Sequence, residues 1–386
     1  MDNSFDFSVA PKRRNTASLK WDLAKDDEVI PLWVADMDFT TAPSILQALD
    51  ERVKHGVFGY ELLPDSWYQS IIAWQKARNG LEIKKEEIIP VPAIIPAVSA
   101  TLQALCQGGE QVIMQTPAYN CFYSCIRNSG LELSKNPLIQ GKEHYEIDFG
   151  DLEEKLSHER ARVLLLCNPH NPTGRIWTEN ELKQIGDLCI KYDITVLSDE
   201  IHSDLRPQSS VFTSFATLSS ELAERTVTFN SASKAFNLAG LQCAYIIVKD
   251  PLKRRRIDRR VNINEVCDLN IMGATAMQSA YESGLPWLLS LNGYIRDNID
   301  FVCDFLKKEL PKTVCFKPEA TYLMWIDFRA YGKSSKQLYK DFIKSKVMLS
   351  LGTEYGSEGE GFMRLNVACP RELLKQGLLR LKQALL

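Results

Sequence analysis

The chain has 386 residues, of which 45% are hydrophobic and 25% charged, with a formal net charge of −3. That is ordinary globular composition on a chain long enough for two cores, and the near-neutral balance argues against a dedicated nucleic-acid surface. No apolar run approaches the ~20 residues needed to cross a bilayer. The first residues, with Asp2, Asp6, Lys12 and Arg13, hold no apolar leader region, so a cytoplasmic protein away from membranes is expected. Ten cysteines form no C-x-x-C pair and five histidines make no metal-type spacing, which points to free buried thiols and no metal site.

No repeat or low-complexity segment appears, and the middle of the chain alternates short apolar runs with amphipathic stretches. Residues 111–115 (QVIMQ) predict a strand closed by Thr116-Pro117, and 162–167 (RVLLLC) a buried strand closed by Asn168-Pro169. Residues 178–192 then place Leu182, Ile185, Leu188 and Cys189 on one helical face. Further strands are expected over 194–198, 226–230 and 244–248. Apolar strands alternating with helices imply an α/β protein whose sheet is mostly parallel and covered on both faces. From Pro286 a long helical stretch runs to Leu310, followed by strand-like 322–328 and a final helix from Arg371, the pattern of a smaller α+β domain. The expected division is a large domain over 46–285 and a small one made of 1–45 with 286–386.

Ligands of open α/β sheets bind at the carboxyl ends of the strands. Polar residues break out of the apolar runs at those ends: Asn171, Asp199, Ser231, Ser233 and Lys234. A lysine, a carboxylate and hydroxyl donors along one edge suit a phosphorylated pyridine aldehyde. The lysine condenses with the aldehyde, and the carboxylate keeps the ring nitrogen protonated so that the ring can withdraw electrons. Arg364 lies in an apolar, strand-like stretch (FMRLN), where a lone guanidinium needs a paired anion.

The segments NPHNPTG (168–174), SDEIH (198–202) and SASK (231–234), in this order and at compatible spacing, resemble those of the aspartate-aminotransferase-like, type I fold of pyridoxal 5′-phosphate enzymes. LWVADMDF (32–39), FGY (58–60) and SKAFNLAGLQCAY (233–245) narrow the likeness to the cystathionine β-lyase, or C–S lyase, branch. Aminotransferases of the fold carry an arginine for the cofactor phosphate eight positions after the lysine, where this chain has Gln242.

The resemblance implies a role for each residue. Lys234 carries the cofactor and removes the substrate Cα proton. Asp199 pairs with the ring nitrogen, Asn171 with the ring hydroxyl, and His202 orients Asp199. Tyr119 stacks on the ring and contacts substrate. The phosphate rests on Ser231, Ser233 and the backbone N–H groups of Ile94 and Ile95. A glycine usually precedes that pair; Ala93 suffices if its φ is negative. Arg364 binds the substrate α-carboxylate, with the Ala35 backbone near it and residues 33–38 lining the entrance. Tyr60 crosses to the neighbouring subunit's phosphate in a homodimer with shared sites.

The implied activity is β-elimination of L-cystathionine, L-cysteine or S-substituted cysteines to thiol, pyruvate and ammonia. An aminotransferase on the same scaffold is the alternative. A regulatory binding protein is the alternative of another class, for which the basic run 253–260, otherwise a solvated helix face, is the surface to test.

Overall fold

The computed structural model describes residues 5–264 and 268–386. Its centre is a seven-stranded sheet in the order Ile88–Val91, Ala244–Val248, Thr226–Asn230, Thr195–Asp199, Ala161–Cys167, Gln111–Thr116, Glu132–Pro137. The five strands from 226–230 to 132–137 run parallel; 244–248 is antiparallel to both of its neighbours. Side chains alternate between faces, so each strand serves two cores. Val112, Met114, Val163, Leu165, Leu197 and Phe229 pack into one apolar cluster. Ile113, Leu164, Leu166 and Val196 pack into another on the opposite face.

The covering helices are delimited by their caps. Thr178 and Glu181 close a reciprocal capping box on Glu179–Lys191, whose Leu182, Ile185 and Cys189 are buried while Leu188 is only half-buried. Gly174 ends the 168–174 motif at φ +74°, where a Cβ would also run into Pro318; both reasons require glycine.

A four-stranded antiparallel sheet is built from Val314–Cys315, Leu323–Asp327, Phe362–Asn366 and Ser350–Leu351. Ile30–Pro31 pairs in parallel with Val347–Met348, so the N-terminal segment lies against the C-terminal part of the chain. The 25-residue helix Leu285–Glu309 is part of the largest apolar cluster, which takes residues from both sides of position 285.

The basic run forms the helix Pro251–Val261, with Arg255 and Arg259 exposed and Arg256 and Arg260 turned onto Ala104 and Gln103. Nine cysteines are free; Cys267 lies outside the described residues. Among the described residues no helix is long and apolar enough to cross a membrane, and no cluster could hold a metal ion.

Candidate active site

The parallel strands deliver their carboxyl ends to one edge, where a cleft encloses about 760 Å³, counting space open to solvent. Its walls include Ala35, Ile94, Ile95, Tyr119, Asn171, Asp199, His202, Ser231, Ser233, Lys234 and Gln242, so all the expected site residues except Tyr60 and Arg364 line it directly.

Lys234 follows strand 226–230 on the short helix Ala232–Ala235. Its ammonium donates to the Ala35 carbonyl at 2.8 Å. Burial, reinforced by the Arg364 charge, pushes it down to about 8, with Asp36 and Asp199 pulling the other way. Ser231 caps that helix by accepting the Ser233 N–H at 2.9 Å, and its hydroxyl donates to Cys243 O at 2.7 Å. Its proton is therefore engaged within the protein, which leaves Ser233 as the freer hydroxyl.

Asp199 ends its strand with one carboxylate oxygen accepting the Ile201 N–H at 3.1 Å. Burial pushes it up to about 6, against the Ile201 hydrogen bond and the Lys234 charge. A cation placed on it would restore the charged form.

The expected bond from His202 to Asp199 is absent. His202 lines the cleft with its Nδ1 buried and unpartnered. Burial and the cations Lys234 and Arg364 hold its imidazole down to about 3, so it is neutral. Three positions along the chain was too coarse a ground for a particular hydrogen bond.

Arg364, central in strand 362–366, is buried. Its Nη1 donates to Asn171 Oδ1 at 3.1 Å and its Nη2 to Trp33 O at 3.0 Å, while Nε is buried without a partner. Among the described residues no carboxylate lies within ion-pair distance of it. A buried, fork-shaped cation lacking an anion is a site for one. Because Asn171 spends its Oδ1 on Arg364, its Nδ2 is what it can offer the cleft.

Ala93 is extended (φ −162°), so no glycine is needed there. It caps the helix Ile94–Leu105, and Ala97 N–H bonds back to Ala93 O at 3.2 Å. Pro96 has no N–H, which leaves the Ile94 and Ile95 amides as the helix's free donors, a place for an anion. Tyr119 precedes the helix Asn120–Asn128 and meets Phe122 edge-on at 5.5 Å. Tyr60 is fully exposed and takes no part in this cleft.

Some participants were not foreseen. Tyr322 donates to the same Ala35 carbonyl as Lys234, at 3.0 Å. Asn237 holds the segment before the cleft through Met37 and Phe39. The buried Lys20 pairs with Asp38 at 2.8 Å, joined by Arg13 and Trp21. The hint available was the acid-rich ADMD itself, whose carboxylates needed cations.

The cleft fits the expected cofactor. It offers two free amides and a hydroxyl for a phosphate, a buried carboxylate for a ring nitrogen, and an amine of lowered basicity. The unpaired guanidinium stands ready for a carboxylate.

Comparison with known proteins agrees. The family model for aminotransferase class I and II matches residues 27–381. The cystathionine beta-lyase PatB of Bacillus subtilis is 42% identical over 384 residues, covering 98% of this chain and 99% of the relative. Cystalysin from Treponema denticola, whose crystal structure contains a pyridoxal 5′-phosphate cofactor, is 33% identical with a TM-score of 0.96, covering 99% of this chain and 98% of that one. The PLP-bound C–S lyase from Staphylococcus hominis is 33% identical with a TM-score of 0.92, covering 99% of both chains.

Proposed function

We propose, from the premise that the chain belongs to the aminotransferase class I and II family, that it is a pyridoxal 5′-phosphate-dependent C–S β-lyase. It converts L-cystathionine, L-cysteine or related S-substituted cysteines to thiol, pyruvate and ammonia. The observation that carries this reading is the buried Arg364, with no ion-paired anion, acting electrostatically on a buried cleft lysine in a chain 42% identical to a cystathionine β-lyase.

When bound, the cofactor supplies an electron sink conjugated to the substrate Cα. The protein's own groups do the rest. Arg364 takes the α-carboxylate through Nε and its Nη edge, a planar match. Asp199 would keep the ring nitrogen of a bound cofactor protonated, and Tyr119 would pack against its ring. The Ile94 and Ile95 amides with Ser233 receive the phosphate. Lys234, poised near 8, takes the Cα proton as a neutral amine at mild pH. By fixing the substrate between them, Arg364 and Tyr119 would orient the Cα–H bond so that proton loss is favoured over other cleavages.

The active unit is a homodimer in which Tyr60 reaches the other subunit's phosphate site. Its complete exposure in the single chain supports this. The free cysteines support a reducing, cytoplasmic setting. The aminotransferase alternative would need a 2-oxo acid acceptor. Supplying L-cystathionine with and without such an acid, and measuring pyruvate against transaminated product, decides between the two.

A further inference from the structure

Residues 33–36, of which Ala35 lines the cleft, have four consecutive carbonyls held by side chains. Trp33 O accepts from Arg364 at 3.0 Å and Ser350 at 2.9 Å. Val34 O accepts from Asn366 at 2.7 Å, and Asp36 O from the same amide at 2.6 Å. Ala35 O accepts from Lys234 Nζ at 2.8 Å and from the Tyr322 hydroxyl at 3.0 Å. Ser350, Arg364 and Asn366 share one face of the four-stranded sheet, where Ser350 pairs with Arg364, and Tyr322 directly precedes its strand Leu323–Asp327. Three of the four carbonyls are held by groups that the reaction leaves in place. Ala35 alone is shared with a residue whose amine must leave it.

We propose that the Ala35 carbonyl is the docking point of the Lys234 amine whenever that amine is free of the cofactor, and that Tyr322 is a positioning residue that sets how tightly it is held there. The inference rests on the reading of Lys234 as the cofactor lysine. A carbonyl oxygen has two lone pairs, and Tyr322 and Lys234 occupy both. A neutral amine that gives one N–H to this oxygen has its lone pair directed away from residues 33–36. Tyr322 is fully buried, and burial together with Asp36 holds its phenol protonated, so it remains a donor. Because it draws on the oxygen's electron density, Lys234 is bonded there less strongly than on an undivided carbonyl. An ammonium responds to that loss more than an amine does, so Tyr322 favours the neutral, reactive form. The other groups that bear on Lys234 are Arg364, Asp36, Asp199, Cys121 and His202; Tyr322 itself faces Asp36 and Arg364, and all five groups are retained when its hydroxyl is removed.

The test uses protein stripped of cofactor and titrated with pyridoxal 5′-phosphate across pH. The visible absorbance of the lysine-linked cofactor reports condensation of the Lys234 amine with the aldehyde, with loss of water. Tyr322→Phe should move the pH midpoint of this condensation upward by about half to one unit, with the parent's cofactor stoichiometry at high pH. A fluorinated tyrosine placed at 322, a stronger donor, should move it downward; that variant carries the test if Tyr322→Phe fails to fold. A midpoint unmoved by either change, or shifts of the opposite sign, overturns the inference. Borohydride trapping in the parent separates the two readings: a label on another lysine refutes the cofactor assignment, whereas a label on Lys234 with an unmoved midpoint refutes only the role of Tyr322.

Discussion

Arg364 has a buried Nε with no partner, and among the described residues no carboxylate within ion-pair distance. Its truncation should therefore be felt by substrate and not by cofactor. Arg364→Ala should lower kcat/KM for amino acids by about 100-fold or more, the scale of losing one side of a buried charge pair, while bound cofactor stays near the parent's. Wholesale cofactor loss or near-normal kinetics would contradict the assignment. Asp199 gives a pH prediction. Its carboxyl is raised to about 6 in the empty cleft, and a pyridinium partner would lower it again, so binding favours the deprotonated form. The Asp199 contribution to cofactor affinity should therefore climb as pH rises through about 6, below the separate rise near 8 as Lys234 loses its proton. Asp199→Asn should bind weakly with that dependence flattened, as equilibrium dialysis at several pH values would show. At this scale the sequence revealed residues that interrupt apolar runs: Lys234, Asp199, Asn171 and Arg364. It concealed those defined by remote partners. Tyr322 meets Ala35 across 287 positions, and no local pattern signals a hydroxyl turned to a distant backbone oxygen.

At the scale of elements, strands 161–167, 226–230 and 244–248 were legible because buried parallel-sheet strands are runs of branched apolar residues. Their direction was not: periodicity is the same either way, and the antiparallel course of 244–248 follows from its connections. Strand Glu132–Pro137 escaped notice because it is an edge strand with a polar, half-exposed sequence, and Ile88–Val91 because Pro90 interrupts it, which an edge tolerates. The N-terminal segment is fastened by a buried pair, Lys20 with Asp38, both without solvent contact at their side chains. Removing Asp38 leaves the buried Lys20 with only a longer ionic contact to Asp36, at 3.7 Å. Asp38→Ala should cost about 3–5 kcal/mol, read as a large fall in Tm, together with weakened substrate binding, since residues 33–36 follow directly from this anchor. A stability like the parent's would mean that water reaches Lys20.

At the scale of the molecule, Val57, Phe58, Tyr60 and Leu62 form an exposed, largely apolar stretch, an unusual use of surface unless another chain covers it. The proposed homodimer predicts complementation. A Tyr60→Ala chain and a Lys234→Ala chain, each impaired alone, are dissociated and mixed. Random pairing makes about half the dimers mixed, each with one whole site, so about a quarter of sites should recover. No recovery with exchange confirmed would place Tyr60 in its own chain's site or in none. The central claim concerns the reaction itself, and the most direct measurement is product stoichiometry from L-cystathionine with no 2-oxo acid present. The account predicts pyruvate, ammonia and free thiol in equal amounts over many turnovers. A reaction that stops after one equivalent and resumes only when a 2-oxo acid is added would contradict it.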